Sequence, residues 1–234
     1  MKKLLYLSAF LFITVFLSAQ DCPDGSVTFT TQEEVDMFLQ TYPDCKEIQG
    51  DMKIGEDISD LSSLLGITHI DGGLVLNNNT QLVDFSGLDS LVYIGKLNDF
   101  IPFIRGYGNA FDFESEMYVE LPKIEERNNI SLYIYNNSSL IDFSGLEKIN
   151  AIDGMLWIEY NSILSNIDGL SSLETIGSGD WIYDINGHFI IKDHEYHRSD
   201  NISVTIKSNQ NLLSISGLDQ VKDMQGSFYL YDNS

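Results

Sequence analysis

Three of the chain's four histidines, His188, His194 and His197, fall within one stretch that also holds Asp193 and Glu195. Zinc is the ion such donors would take. In an extended segment, however, His194 and His197 point to opposite sides, and no helical pattern gathers them on one face. A solvated polar loop is the expectation there, and no metal ligand set is assigned. The fourth histidine, His69, is a lone residue without an assigned role. The 35 acidic residues guarantee chance carboxylate pairs, so a pair alone carries no chemistry. No Gly-x-Ser-x-Gly elbow, His-Glu-x-x-His helix or phosphate-binding glycine loop occurs. The chain is therefore read as a non-enzyme without a cofactor.

Cys22 and Cys45 are the only cysteines. Neither stands beside a histidine or a helix N-terminus, the settings that make a thiol a nucleophile. Bridged in an oxidising compartment, they close a loop of about 24 residues and contribute on the order of 3–4 kcal/mol. Residues 21–48, which contain this loop, read as an N-terminal cap. A strand is expected over Ser26–Thr30, followed by Thr31 and Glu34 at capping-box spacing. Val35, Phe38 and Leu39 then form an apolar stripe that Pro43 stops, giving a helix over about 31–41.

Residues 1–20 indicate the compartment. Lys2 and Lys3 precede an apolar run from Leu4 to Leu17, and Ser18-Ala19-Gln20 offers a cleavage site, as in a secretory signal peptide. The run is shorter than the roughly 20 residues a spanning helix needs. Asp21 stands where lipidation of Cys22 would need a small residue. The protein is thus expected to be exported, to the extracellular space or the outer cell surface and envelope, with no transmembrane segment. Its formal charge is −22, and without the two lysines of residues 1–20 it becomes 11 − 35 = −24. A chain so acidic does not neutralise runs of phosphate, so nucleic acid is not expected as a partner.

The main signal is a repeat of 24 residues. Leu74-Val-Leu-Asn-Asn-Asn-Thr-Gln-Leu-Val-Asp-Phe-Ser-Gly-Leu88 aligns with Leu132-Tyr-Ile-Tyr-Asn-Asn-Ser-Ser-Leu-Ile-Asp-Phe-Ser-Gly-Leu146. Leu156, Val204 and Phe228 begin three more units, and Met52 begins a shorter one. Apolar residues recur at fixed offsets, as in Leu132, Ile134, Leu140, Phe143, Leu146, Ile149 and Ile152. The Leu-x-Ile pair reads as a short strand with alternate residues inward. A single coil cannot bury its apolar side, so successive coils must stack with their strands parallel. The fold expected over 49–234 is mainly β, a solenoid of coils behind the cap. Asn79, Asn137, Asn161, Asn209 and Asn233 share one offset, where an amide ladder can satisfy the backbone at a turn. The same column allows metal-ligand or glycosylation readings, but a turn residue in every coil is more often structural.

The Leu-x-Ile-x-x-Asn pattern, the period and the cysteine-bracketed helix resemble the receptor L domain. This leucine-rich-repeat-like right-handed β-helix occurs in insulin- and EGF-receptor ectodomains and in fungal cell-wall proteins. Secreted repeat proteins of Bacteroidota have an opening similar to Cys22-Pro-Asp-Gly, Thr31-Gln-Glu-Glu-Val-Asp, Tyr42-Pro-Asp-Cys45 and Ile48-x-Gly50-Asp-x-x-Ile54. The resemblance implies a secreted or surface recognition module and supplies no catalytic residues.

Two insertions break the repeat at the same point of the coil. Ile94 and Leu132 are 38 positions apart and Ile176 and Val204 are 28 apart, where Ile152 and Leu156 are four apart. The insertions, about 95–129 and 177–201, share similar ends and are rich in aromatics, including Phe103, Tyr107, Trp181 and Tyr183. They form hairpins on the coil edge, or residues 181–203 make one degenerate coil. Loops on one edge of a solenoid often bind. The outward strand positions Lys53, Val75, Tyr133, Trp157, Thr205 and Tyr229, flanked by Tyr135, Glu159, Lys207 and Tyr231, give a second candidate surface. Their stacking stabilises the sheet by itself. Exposed, the same stripe holds a protein or glycan ligand. The reading is a non-catalytic recognition and adhesion module, with a structural envelope protein or a β-helix polysaccharide-degrading enzyme as alternatives. Glu159 is the only carboxylate on that strand face, which argues against the enzyme. Because Ser234 falls six residues after Phe228, more coils are expected beyond it.

Overall fold

A computed structural model describes residues 22–98, 101–112, 117–127, 129–178, 181–182 and 202–233, with the backbone alone over 101–112, 117–127 and 181–182. Residues 1–20, Tyr183, His188, His194 and His197 lie outside the described residues.

The first elements are β1 (Val27–Phe29), α1 (Gln32–Thr41), β2 (Glu47–Ile48), β3 (Met52–Ile54), β4 (His69–Ile70), β5 (Leu74–Asn77) and β6 (Tyr93–Ile94). The first insertion supplies β7 (Ile101–Asp112) and β8 (Met117–Arg127). Then follow β9 (Ile130–Tyr135), β10 (Ala151–Ile152), β11 (Met155–Glu159) and β12 (Thr175–Ile176). The second insertion gives β13 (Trp181–Ile182), and β14 (Ile202–Lys207), β15 (Asp223–Met224) and β16 (Ser227–Tyr231) complete the set. The fold is mainly β, with two parallel sheets.

The larger sheet runs β1-β3-β5-β9-β11-β14-β16. Its register puts Met52, Leu74, Leu132, Leu156, Val204 and Phe228 side by side, the residues that open the sequence repeats. The cap is not separate from it, because β1 pairs with β3 through Val27 and Met52. The second sheet runs β15-β12-β10-β6-β4-β2. A residue pair per strand was too short for an alternation signal in the sequence. Column hydrogen bonds bind its strands one to the next: Val92 N donates to Thr68 O at 2.9 Å, Asn150 N to Val92 O at 3.0 Å, and Glu174 N to Asn150 O at 2.9 Å.

The recurring apolar offsets form the core between the sheets. Leu132, Ile134, Leu140, Phe143, Leu146, Ile149 and Ile152 are all buried, and each such side chain is worth about 1.5–3 kcal/mol. Phe85 and Phe143 meet edge to face at 5.3 Å. Gly145 has φ +98, and a Cβ there would stand 2.2 Å from Phe85 O, so glycine permits this close approach of neighbouring repeats. The aspartates of the repeated Asp-Phe-Ser-Gly close turns: Ser86 N donates to Asp84 Oδ1 at 2.8 Å and Ser144 N to Asp142 Oδ1 at 2.9 Å.

Cys22 and Cys45 form a disulfide. Between them α1 starts on the capping box of Thr31 and Glu34. The Glu34 carboxylate accepts from the backbone and hydroxyl of Thr30 and from the backbone of Thr31, which holds its pKa below the usual 4.5. Val35 and Phe38 turn inward, and Phe38 meets Phe29 at 5.3 Å.

The two insertions join each other. β7 and β8 form an antiparallel hairpin, and β13 pairs antiparallel with β8 through Trp181 opposite Arg127. The start of the second insertion is thus no degenerate coil of the parallel stack. Where each insertion returns to the large sheet, the register shifts: between Met155 and Leu156 beside Ile130–Leu132, and between Ile202 and Val204. Both returns carry the sequence Asn-Ile-Ser, and the extra residue is Ser131 or Ser203.

Candidate functional site

The larger sheet turns one face to the core and the other outward. Strand register lines up Lys53, Val75, Tyr133, Trp157, Thr205 and Tyr229 on the outward face. Asn77, Tyr135, Glu159, Lys207 and Tyr231 form the next row.

The centre of this face is not an open stripe. Tyr133, Trp157 and Glu159 are each 1% exposed, so of the two readings of this stripe the packed one holds at these three positions and the exposed one is corrected there. With Leu97, Ile130, Met155 and Ile202, Tyr133 and Trp157 form a second buried cluster, and Glu159 is buried in contact with Trp157. The outer side of β9, β11 and β14 carries apolar and paired polar groups here. Trp157 Nε1 donates to Glu159 Oε2 at 2.9 Å, and Lys207 Nζ lies 2.6 Å from Glu159 Oε1. The same ammonium sits 5.1 Å from the Trp157 ring and 5.7 Å from the Tyr231 ring. Removing one partner of a buried ion pair costs about 3–5 kcal/mol, so Glu159 and Lys207 hold each other in place. Asn77 Oδ1 and Thr205 Oγ1 are buried without a hydrogen-bond partner, which leaves this face less fully satisfied than the turn behind it.

The rim differs. Tyr160, Tyr229 and Tyr231 are exposed at 48%, 40% and 49%. Tyr135, half-buried, stacks on Tyr133 at 5.8 Å and receives Tyr160 edge-on at 5.6 Å. Sequence reasoning missed Tyr160. Its signal was present, since it occupies the offset held elsewhere by Asn78, Asn136, Ser208 and Asp232 and is the one aromatic there. All five have left-handed backbones, with φ between 54° and 59°.

Behind this row runs the asparagine ladder. Asn79 N donates to Asn137 Oδ1 at 2.8 Å, Asn137 N to Asn161 Oδ1 at 3.0 Å, Asn161 N to Asn209 Oδ1 at 2.9 Å, and Asn209 N to Asn233 Oδ1 at 3.0 Å. The first four are fully buried. Their side chains are committed to the turn, which leaves Asn137 no free amide for a glycan.

The second sheet presents a polar face. His69 and Tyr93 have ring centres 5.9 Å apart, and the Tyr93 hydroxyl donates to Asp153 Oδ2 at 2.6 Å. That bond, with partial burial and the charges of Asp153 and Asp71, pushes the Tyr93 pKa up to about 12. Among the described residues, no group of three His, Cys, Asp or Glu side chains could hold a metal ion, and no helix is long and apolar enough to cross a membrane. The side chains of Phe103, Tyr107 and Trp181 lie outside the described atoms, so the structure leaves the insertion aromatics unplaced relative to the rim. No protein-family model, curated protein or solved structure matches the chain.

Proposed function

We propose that this protein is an exported recognition and adhesion module with no catalytic activity, which binds a protein or glycan ligand at the tyrosine rim of its larger sheet. In this reading the two parallel sheets are sides of a right-handed, leucine-rich-repeat-like β-helix of the receptor L type, and residues 1–20 are its signal peptide. The 24-residue step from Leu132 to its partner Leu156 and from Val204 to its partner Phe228, with the disulfide-closed cap, supports that assignment. The disulfide also fits an oxidising compartment outside the cytoplasm.

The observation that carries the function is the exposure of Tyr160, Tyr229 and Tyr231 beside the buried Trp157–Glu159–Lys207 cluster. Tyrosines presenting a flat ring and a hydroxyl on a rigid sheet suit sugar rings and protein side chains alike. The test is a glycan array and a pull-down against envelope proteins, with wild type and a Tyr160→Ala/Tyr229→Ala/Tyr231→Ala variant. All three residues are exposed, so the variant keeps its core. The expected result is a bound partner for wild type that the variant loses. Identical profiles sink the rim as the site, and hydrolysis of an arrayed glycan favours the enzyme reading.

A further inference from the structure

From the asparagine ladder each repeat passes to the second sheet through a connecting segment, and these segments are themselves bonded side by side. Ile141 N donates to Val83 O and Ser165 N to Ile141 O, each at 2.8 Å. Leu82, Leu140 and Leu164 are buried there, so the residues on either side of them face outward. Among those are Val83, Ile141 and Ile163, exposed at 45%, 46% and 41%. Each belongs to a repeat with another repeat on either side of it. A lone exposed apolar side chain needs no explanation, but neighbours on bonded backbone form a patch. Val83 and Ile141 share one column, and Ile163 lies two residues ahead of that column in the next repeat.

The charge around this patch has one sign. Segments 80–89, 138–147 and 162–171 hold Asp84, Asp89, Asp142, Glu147 and Asp168 and no lysine, arginine or histidine, and the first base after them, Lys148, follows Glu147. Local backbone bonds hold these carboxylates in place. Besides the turn bonds of Asp84 and Asp142, Gly87 N donates to Asp89 Oδ2 at 2.7 Å and Gly145 N to Glu147 Oε2 at 3.0 Å. We infer that the Val83–Ile141–Ile163 patch docks a segment of a partner protein in which apolar side chains are set among lysines or arginines. The apolar side chains supply the contact, and the carboxylates select the sign of the partner. A second copy of this chain does not fit, because it would bring two acidic surfaces together. An acidic partner is repelled for the same reason. This goes beyond the tyrosine-rim reading and does not depend on it.

The test is fluorescence anisotropy of the disulfide-intact chain with three labelled peptides of equal length. In one Leu alternates with Lys, in the second Ser alternates with Lys, and in the third Leu alternates with Glu. The Leu/Lys peptide is expected to bind, and the other two at least about tenfold more weakly. Val83→Thr/Ile141→Thr keeps the branched side chains and the charge. It is expected to keep the wild-type thermal midpoint and to weaken Leu/Lys binding by more than about tenfold. Ile141→Lys, which puts a like charge against the peptide at an exposed position, is expected to weaken it as well. The Tyr160→Ala/Tyr229→Ala/Tyr231→Ala variant is expected to bind this peptide as wild type does. Equal binding of the Leu/Lys and Ser/Lys peptides would reduce the effect to charge attraction and overturn the proposal. So would no binding of the Leu/Lys peptide, or its equal binding to wild type and both patch variants.

Discussion

Asn161 shows how one side chain joins three repeats. Its Oδ1 accepts from both the backbone and the side-chain amide of Asn137 at 3.0 Å, while its Nδ2 donates to Ile134 O at 3.1 Å, Glu159 O at 3.2 Å and Asn209 Oδ1 at 3.1 Å. Asn161→Ala leaves the buried Asn137 N–H without an acceptor. It is expected to lower unfolding stability by about 3 kcal/mol, read from urea denaturation midpoints. An unchanged midpoint would show that the ladder does not hold the repeats together. This column was legible in the sequence because an asparagine at every turn leaves few other readings. The left-handed residue before it was not legible, since Tyr160 and Ser208 rarely adopt that backbone by preference. The backbone bonds on either side impose it there. Burial of Tyr133 and Trp157 was hidden for a related reason. Period-2 alternation separates inward from outward positions but does not say whether the outward side is also packed.

At the scale of elements, the repeat phase determined strand register, because a slip by one residue would turn every core side chain outward. Leu132, Leu156 and Val204 therefore lie side by side as their offsets required. The second sheet, with two-residue strands such as Ala151–Ile152, had no alternation to read. The pairing of β13 with β8 was equally hidden, since it joins segments of different insertions. The glycine before the Leu146 column makes the element-scale prediction. Gly145→Ala puts a methyl against Phe85 O in a left-handed backbone. It is expected to cost about 2 kcal/mol or more, measured as a fall in denaturation midpoint. Asp142→Ala, which removes one turn bond nearby, is expected to cost only about 1 kcal/mol. Equal losses would place the constraint in the turn instead of the close coil contact.

Across the whole molecule, the acidic residues serve two uses. Asp84 and Asp142 close repeat turns through Ser86 and Ser144. Others, such as the exposed Asp153 and Glu174, coat the second sheet and meet Tyr93 or Lys222. On the larger sheet the buried Glu159–Lys207 ion pair is enclosed among aromatics, with tyrosines at the rim. That asymmetry leads to the claim that ligand binds at the rim and not on the polar second sheet. Hydrogen exchange of wild type, with and without the glycan or envelope protein captured in the screen, tests it most directly. The account predicts slowed amide exchange over 159–162 and 227–233 on binding, with β4, β6, β10 and β12 unchanged. Slowing confined to those four strands, with none at the rim, would contradict it.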